Sequence, residues 1–357
     1  CPRQDADFEG GPRASFFLAA TRLRLQAAGI DTPSTPSGTP PMTQRFVGRR
    51  LHFALAAALC LTLPTACERG GVTTGQTIGV ARVARVEAAT RPIDAAYVLR
   101  DRLLAHDGAG FARLAVPADL HARLATGWKD GRSRWPLDEL PLDAKLPGML
   151  ATLQAPGADK ALMATFRRQF AGADRDIDQA IRTLALFGGE YVQNDGDYTP
   201  EEREHIGQAI IALQAWGLQA PFADKARAQR FFTALTAAAR RSGIEGKAGT
   251  AAFGKLGMRA SLTRLSPFLA TLLAQLRQQY GLDVDASLRA LKVTLLQQTG
   301  DTARLRLQYP LAGRDIDAVV PAVRIDGHWY LADFVQRADA SLAAKPAVAG
   351  GRKASPP

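Results

Sequence analysis

Cysteine and histidine are scarce in this chain, and their scarcity excludes most kinds of metal and redox site. The 357 residues contain three cysteines, Cys1, Cys60 and Cys67, and five histidines. Beyond position 67 no histidine has a partner at the spacing that zinc ligands use. These four histidines are His106, His121, His205 and His328. The segment Glu201–His205 superficially resembles a zinc-binding helix but lacks a second histidine four residues away. We therefore expect no metal and no cofactor.

Motifs of common enzyme classes are also missing. No serine or threonine lies in a Gly-x-Ser-x-Gly turn, and no glycine-rich loop of the phosphate-binding kind occurs. Two acid pairs, Asp283/Asp285 and Asp315/Asp317, have the residue types for general acid–base chemistry, but such pairs more often cap helices or mark turns. We therefore expect no catalytic residues and no enzyme activity. The alternative is hydrolysis of cell-wall material by His328, Asp315 or Asp317.

The chain is basic, with a formal net charge of +11. Its first 66 residues carry seven arginines and four acidic residues, which leaves +8 for the remainder. Two interpretations stay open: the surface attracts anionic neighbours such as lipid headgroups or acidic polymers, or it is simply solvated. No run of lysine and arginine with interleaved aromatics occurs, so we expect no nucleic-acid partner.

The clearest targeting signal lies at Met42–Cys67. Three arginines precede the uncharged apolar run Leu51–Leu63, and small residues follow up to Cys67. The run has 13 residues, whereas a helix needs about 20 to span a bilayer. We therefore predict a signal peptide at 42–66. We interpret Met42 as the true start and residues 1–41 as disordered and not part of the protein; a genuine N-terminal extension is the alternative.

The residues before Cys67 resemble the lipobox of bacterial lipoproteins. Ala66 is the small residue before the cysteine and Leu63 lies upstream, although Pro64 occupies the position where this family usually has a leucine-like residue. The resemblance implies cleavage before Cys67 and its acylation, by diacylglycerol on the thiol and a fatty acid such as palmitate on the amine. Glu68, which replaces the aspartate that retains such proteins in the inner membrane, implies the periplasmic face of the outer membrane. An ordinary secreted protein or an uncleaved anchor are the alternatives.

Local signals predict a mostly helical region at 91–222, after a lipid-anchored linker at 67–90. Pro92 and Pro117 suit the first turns of two helices, and Trp128 falls on the apolar side of the second. A capping box, Thr199-Pro200-Glu201-Glu202, begins another helix.

The segment 129–157 carries four prolines and is expected to be a loop. Trp135 within it either belongs to a binding surface or packs into the core.

Residues 223–337 are predicted to form an α+β region that ends in an antiparallel sheet. Ser266-Pro267 should start a helix that stops at Gly281. After about residue 291 the apolar period changes from 3.6 to 2, with alternation clearest over 303–309. Asp326-Gly327 is a two-residue turn signal between strands at 319–325 and 328–334. Such a turn would set three pairs: Ile325 with His328, Arg324 with Trp329, and Val323 with Tyr330. Residues 338–357 should be a disordered tail.

Helices followed by strands, ending in GDTARLRLQYPL and VRIDGHWYLADF, resemble the NTF2-like or SnoaL-like domains over roughly residues 223–335. The resemblance implies a curved sheet that wraps helices into a cone with an interior pocket, and it transfers no activity. We expect five residues to line that pocket: His328, Tyr330, Trp329, Tyr309 and Asp315. The chain after Cys67 also resembles uncharacterised periplasmic lipoproteins of proteobacteria, from which no catalytic residue can be carried over.

Three functions fit these observations. The first is a non-catalytic lipoprotein of the outer membrane, held by lipid on Cys67, that binds or supports an envelope partner. The second is a binder of a small apolar or anionic ligand in the cone pocket. The third is the wall hydrolase. A catalytic site needs a nucleophile or base beside an orienting group, and the sequence shows no such motif, so the first hypothesis leads.

Overall fold

The computed structural model describes residues 89–140, 145–194 and 198–343. The predicted signal peptide, Cys67, residues 1–41 and all of the linker before residue 89 lie outside these ranges. None of the described helices is both long and apolar enough to cross a membrane. The described part has eleven α-helices and one four-stranded antiparallel sheet, so the predicted α+β class, helices first and sheet after, is confirmed.

The helices are numbered here in chain order. Those in the first half are α1 Pro92–Leu104, α2 Gly108–Leu114, α3 Ala118–Lys129, α4 Leu146–Gln154, α5 Ala158–Gln169, α6 Asp174–Asn194 and α7 Pro200–Gly217. Those in the second half are α8 Lys225–Arg241, α9 Ala251–Tyr280, α10 Val284–Arg289 and α11 Ala332–Ala343. Short 3-10 helices lie at Leu137–Glu139 and Gly246–Ala248.

Most of the predicted helix signals are confirmed. The Thr199 hydroxyl accepts the Glu202 N–H at 3.2 Å, and the Glu202 carboxylate accepts the Thr199 N–H at 2.9 Å, which completes the capping box of α7. Pro92 lies in the first turn of α1, and Gly281 ends α9 in the left-handed conformation, with φ of 77°. Trp128 is buried, as its helical position predicted.

The predicted loop at 129–157 is wrong, because it contains a 3-10 helix and α4. Pro147 lies in the first turn of α4, and Pro156 comes two residues after the end of that helix. The apolar side of α4 is formed by Leu146, Leu150 and Leu153 at helical spacing. Trp135 is fully buried, and its carbonyl accepts the Trp128 indole N–H at 2.7 Å. Trp135 therefore packs in the core.

The predicted start of a helix at Ser266-Pro267 is also wrong, because α9 begins at Ala251 and continues through Pro267. Proline inside a helix costs about 3 kcal/mol. Here Leu262 and Leu265 before it and Phe268 after it are all buried in the main core, and this packing outweighs the local penalty. The helix departs from helical geometry at Gly257, where φ is 75°.

The sheet has the order β1-β2-β3-β4, with every pair antiparallel. Its strands are β1 Lys292–Thr299, β2 Thr302–Leu311, β3 Arg314–Ile325 and β4 His328–Leu331. The pairing of Ile325 with His328, Arg324 with Trp329 and Val323 with Tyr330 confirms the predicted hairpin register.

The chain after β4 differs from the prediction. The last strand ends at Leu331 rather than 334, and α11 occupies 332–343, so helix replaces the first part of the predicted disordered tail. Helix forms here because Ala338 and Leu342, four residues apart, pack against the main core. Residues 344–357 lie outside the described ranges.

The main core draws on both predicted regions. This core contains Leu124, Trp128 and Leu150 from the region before residue 222. Phe253 and Leu265, from the region after it, pack in the same core. The rings of Trp128 and Phe253 meet edge to face at 6.3 Å. A second cluster places Ala95 of α1 against Leu305 and Trp329 of the sheet. Since Leu99 of α1 is buried in the main core, α1 packs against both the sheet and the helices.

Candidate functional site

A cavity of about 370 Å³ lies where α1, α2 and α9 meet the inner face of the sheet. Helix α9 contributes leucines at helical spacing, at 262, 265, 269, 272 and 276. Leucine supplies 15 of the 29 lining residues, so the wall is mainly apolar. Pro136, Leu137 and Leu140, from the proline-rich segment after Trp135, close another side.

A hydrogen-bonded pair, His205 and Tyr309, interrupts this apolar wall. His205 of α7 and Tyr309 of β2 are joined by Nε2 and Oη at 2.7 Å. Burial lowers the pKa of His205, and the charge of Glu202 only partly opposes this shift. Burial raises the pKa of Tyr309. Both groups are therefore neutral near pH 7 and satisfy each other.

An ion pair, Arg102 and Asp107, forms a second polar part of the wall. The Arg102 Nη1 donates to Asp107 Oδ2 at 3.1 Å. Asp107 also caps α2 by accepting the Gly110 N–H at 2.7 Å. A Cβ at Gly110 would lie 2.0 Å from Asp107 Oδ2, so this arrangement requires glycine. The Arg102 Nε is buried and has no hydrogen-bond partner among the described residues.

The remaining polar lining groups have partners. Arg100 pairs with Asp101 at 2.7 Å. The Ser266 hydroxyl donates to the Leu262 carbonyl at 2.8 Å and accepts the Gly108 N–H at 3.2 Å. The Ser287 hydroxyl donates to the Asp283 carbonyl at 3.3 Å.

Of the five predicted pocket residues, only Tyr309 lines this cavity. Trp329 shares the inner face of the sheet, but it is buried against α1. Successive side chains on a strand alternate between faces, so the register places Asp315, His328 and Tyr330 on the face opposite Tyr309. The structure therefore does not bring the five residues together at this cavity.

Three of the four acidic candidates for catalysis have structural roles. Asp317 accepts two hydrogen bonds from the Arg306 Nε, at 2.8 and 3.0 Å, and this pairing lowers the pKa of Asp317. Asp283 caps α10 by accepting the Ala286 N–H at 2.9 Å, and buried Asp285 pairs with Arg289 at 3.2 Å. No cluster of three or more potential metal ligands occurs among the described residues.

Sequence reasoning missed the roles of His205 and Arg102. His205 appeared only as part of an incomplete zinc motif, and its partner Tyr309 is 104 residues away. No sequence pattern singled out Arg102. Only the packing of α1 and α2 shows that it lines an apolar cavity.

A buried ionic cluster lies near the cavity, where the 3-10 helix at 137–139 meets α7 and α11. Arg337 of α11 pairs with Glu202 and lies 3.5 Å from Glu139. Burial raises the pKa of Glu139 to about 7, with repulsion from Asp138 and Glu202 adding to the shift and Arg337 opposing it. Burial also raises the pKa of Asp333 to about 6.

The outer surface of the α6–α7 hairpin carries the chain's most exposed large apolar side chains among the described residues. Leu184 and Phe187 of α6 are 63% and 62% exposed, and Ile211 of α7 is 51% exposed. The two helices pack closely, since a Cβ at Gly188 would lie 3.5 Å from the Ile210 side chain. These exposed residues, together with Leu186, are called the hairpin patch below.

Comparison of the chain with protein-family models, with curated proteins and with solved structures finds no significant match.

Proposed function

We propose that the protein binds a small apolar ligand in the cavity between α1, α2, α9 and the sheet. The observation that carries this proposal is a volume of about 370 Å³ with a leucine-rich wall and few polar groups. Ligand sites in proteins have volumes of about 300–1,000 Å³ and a similar balance of apolar and polar lining. An unfilled apolar void in a core also lowers stability, so filling it would stabilise the folded protein.

A neutral fluorescent probe such as N-phenyl-1-naphthylamine tests this proposal. Its fluorescence should rise on binding, and a bound ligand should raise the Tm as its concentration exceeds the Kd. Leu272→Trp places extra volume in the cavity and should weaken probe binding at least tenfold.

Leu184→Trp, on the exposed hairpin patch, is the matched control and should bind the probe as the wild type does. Absence of binding to the wild-type protein would overturn the proposal. So would equal binding by a folded Leu272→Trp variant.

A second candidate function is binding of an envelope partner by a lipoprotein anchored through Cys67 at the periplasmic face of the outer membrane. The hairpin patch favours it, because several large exposed apolar side chains on one helical hairpin are typical of protein interfaces. Ligand binding and partner binding are compatible, since the patch and the cavity use different residues. Phe187→Asp should abolish capture of a stable partner from detergent-solubilised membranes, whereas Asp315→Asn should not.

The wall-hydrolase hypothesis gains no support from the geometry. Asp317 is engaged by Arg306, and the His328 Nδ1 lies 3.0 Å from the Asp326 carbonyl. Neither Asp315 nor His328 lines the cavity.

A further inference from the structure

Helix α6 has a large surface that no other described element covers. The helix packs along α7 and makes no comparable contact with any other described helix or strand. Of its 21 residues, only Gly188 and Val192 are buried. The solvent side carries Leu184, Leu186 and Phe187, which are 63%, 64% and 62% exposed. Three large apolar side chains at this exposure on one helix indicate an interaction surface.

The charges beside these apolar side chains have opposite signs at equal distances from Leu186. Arg182, Leu186 and Glu190 follow one another at a spacing of four residues, so they form one row along α6. The Arg182 side chain is 53% exposed, and Glu190 is also exposed. The Asp178 carboxylate lies 3.9 Å from the Arg182 guanidinium, beyond hydrogen-bond distance. Arg182 can therefore bind a further carboxylate.

This row is complementary to itself when two copies of α6 run antiparallel. In an isologous dimer with the two-fold axis at Leu186, residues equally far before and after Leu186 face each other. Arg182 of each copy would then meet Glu190 of the other copy. Four residues of helix rise about 6 Å, so the two ion pairs would lie one turn to either side of the axis. The exposed leucines and Phe187 would lie between them.

We propose that the hairpin patch binds a second copy of this chain, through antiparallel pairing of α6 about Leu186. This inference rests on the second candidate function and names the partner, and the cavity takes no part in it. Helix α6 has two arginines and four acidic residues, which gives a net charge of 2 − 4 = −2. That charge disfavours an anionic lipid surface, because helices that lie on such surfaces are rich in lysine and arginine.

Sedimentation equilibrium of the full chain, in a nonionic detergent matched in density to the solvent, measures the dimer. A patch of this size is typical of small, transient interfaces, so we expect a Kd of about 1–100 μM. Phe187→Asp places two charges in the dimer interface and should weaken dimerisation at least about a hundredfold.

Leu296→Asp is the matched control, because Leu296 is an exposed leucine of β1 outside the hairpin, and this change should leave the Kd unchanged. A wild-type protein that stays monomeric throughout this concentration range would overturn the proposal. So would equal dimerisation by a folded Phe187→Asp variant.

Arg182→Glu and Glu190→Arg test the antiparallel pairing itself. Each reversal sets like charges against each other at both contacts and should weaken dimerisation about tenfold. An equimolar mixture of the two variants should dimerise as well as the wild type, because both contacts then join opposite charges. Both residues are exposed, so neither change disturbs the core. A mixture that dimerises no better than either variant alone would overturn the proposal.

The outcomes also separate this inference from the proposed functions. Binding of N-phenyl-1-naphthylamine should be the same in Phe187→Asp and wild type, so loss of the dimer leaves the cavity function intact. The wild type could instead stay monomeric while Phe187→Asp removes capture of a different protein or binding to vesicles of anionic phospholipid. Either result would overturn the second-copy inference and leave the patch as a docking surface for that other partner.

Discussion

Arg337 shows how a single residue can set the pH response of this protein. One guanidinium meets three carboxylates, from Glu139, Glu202 and Asp333. Glu202 holds the hydrogen bond to Arg337 and also closes the capping box of α7 through its other oxygen. Glu139 is 4% exposed, so its charged form has lost most of its contact with water, and Arg337 at 3.5 Å offsets only part of this cost. Burial therefore raises the pKa of Glu139 to about 7, and repulsion from Asp138 and Glu202 adds to the shift.

Glu139 should make the protein less stable as the pH rises. Its pKa increases from an ordinary 4.5 to about 7 on folding, so the folded state binds the extra proton between these values. The stabilising contribution is complete below 4.5 and is lost as the pH rises through about 7. Glu139→Gln should remove this dependence and raise the free energy of unfolding at pH 8 by about 1–3 kcal/mol.

Urea unfolding at pH 5 and pH 8 measures this difference. Glu245→Gln, at an exposed acid, is the control and should leave the pH dependence unchanged. If Glu139→Gln loses as much free energy of unfolding between pH 5 and pH 8 as the wild type does, Glu139 is not the source of the pH dependence.

His205 and Tyr309 allow a second prediction at the scale of residues. Tyr309→Phe keeps the ring but leaves the His205 Nε2 without its partner, which should lower the free energy of unfolding by about 1–3 kcal/mol. His205→Phe combined with Tyr309→Phe removes both polar groups, so the double variant should be at least as stable as Tyr309→Phe. A double-mutant cycle by urea unfolding checks this order, and additive losses would show that the hydrogen bond contributes little.

At the scale of elements, α7 completes the edge of the sheet. Strand β4 pairs only with residues 322–325 of β3, which leaves the earlier part of that edge without a strand partner. The Gln208 side chain of α7 accepts the Asp317 N–H at 2.9 Å and donates to the Asp317 carbonyl at 3.0 Å. A single carboxamide thus replaces the neighbouring strand at this position.

Gln208→Ala should therefore leave two main-chain groups of Asp317 without protein partners. We expect a loss of about 1–3 kcal/mol in the free energy of unfolding and faster hydrogen exchange at the Asp317 amide. Gln179→Ala, on the exposed side of α6, should affect neither measurement. Unchanged exchange at Asp317 would show that the edge is protected by something other than this side chain.

Helix α9 shows where local sequence signals lose their predictive value. Pro267 has the form of a helix start, yet the helix continues through it because residues on both sides are buried in one core. The capping box at Thr199 and the Asp326-Gly327 turn were predicted correctly because their hydrogen bonds join residues close together in the chain. Signals completed by hydrogen bonds between near neighbours were therefore confirmed, whereas the proline signal was overridden by the packing of the core.

At the scale of the whole molecule, the α+β class and the order of elements could be predicted, but the cavity could not. The helical spacing of Leu269, Leu272 and Leu276 is the same whether these side chains fill a core or line a cavity. The pocket prediction selected Asp315, His328 and Tyr330 by residue type, although their strand positions place them on the other face. The cone of NTF2-like domains stays a prediction.

The expected lipid anchor leads to the last prediction. Cys67 lies outside the described residues, and its acylation is implied by the resemblance of the residues before it to the lipobox of bacterial lipoproteins. Each buried methylene contributes about 0.8 kcal/mol, so two or three acyl chains would hold the protein permanently at a membrane. Cys67→Ala should prevent acylation, whereas Cys60→Ala should leave it unchanged. Mass spectrometry of the N-terminal peptide should show acylated Cys67 as the first residue. A mature N-terminus elsewhere, or a membrane fraction unaffected by Cys67→Ala, would exclude the lipid anchor.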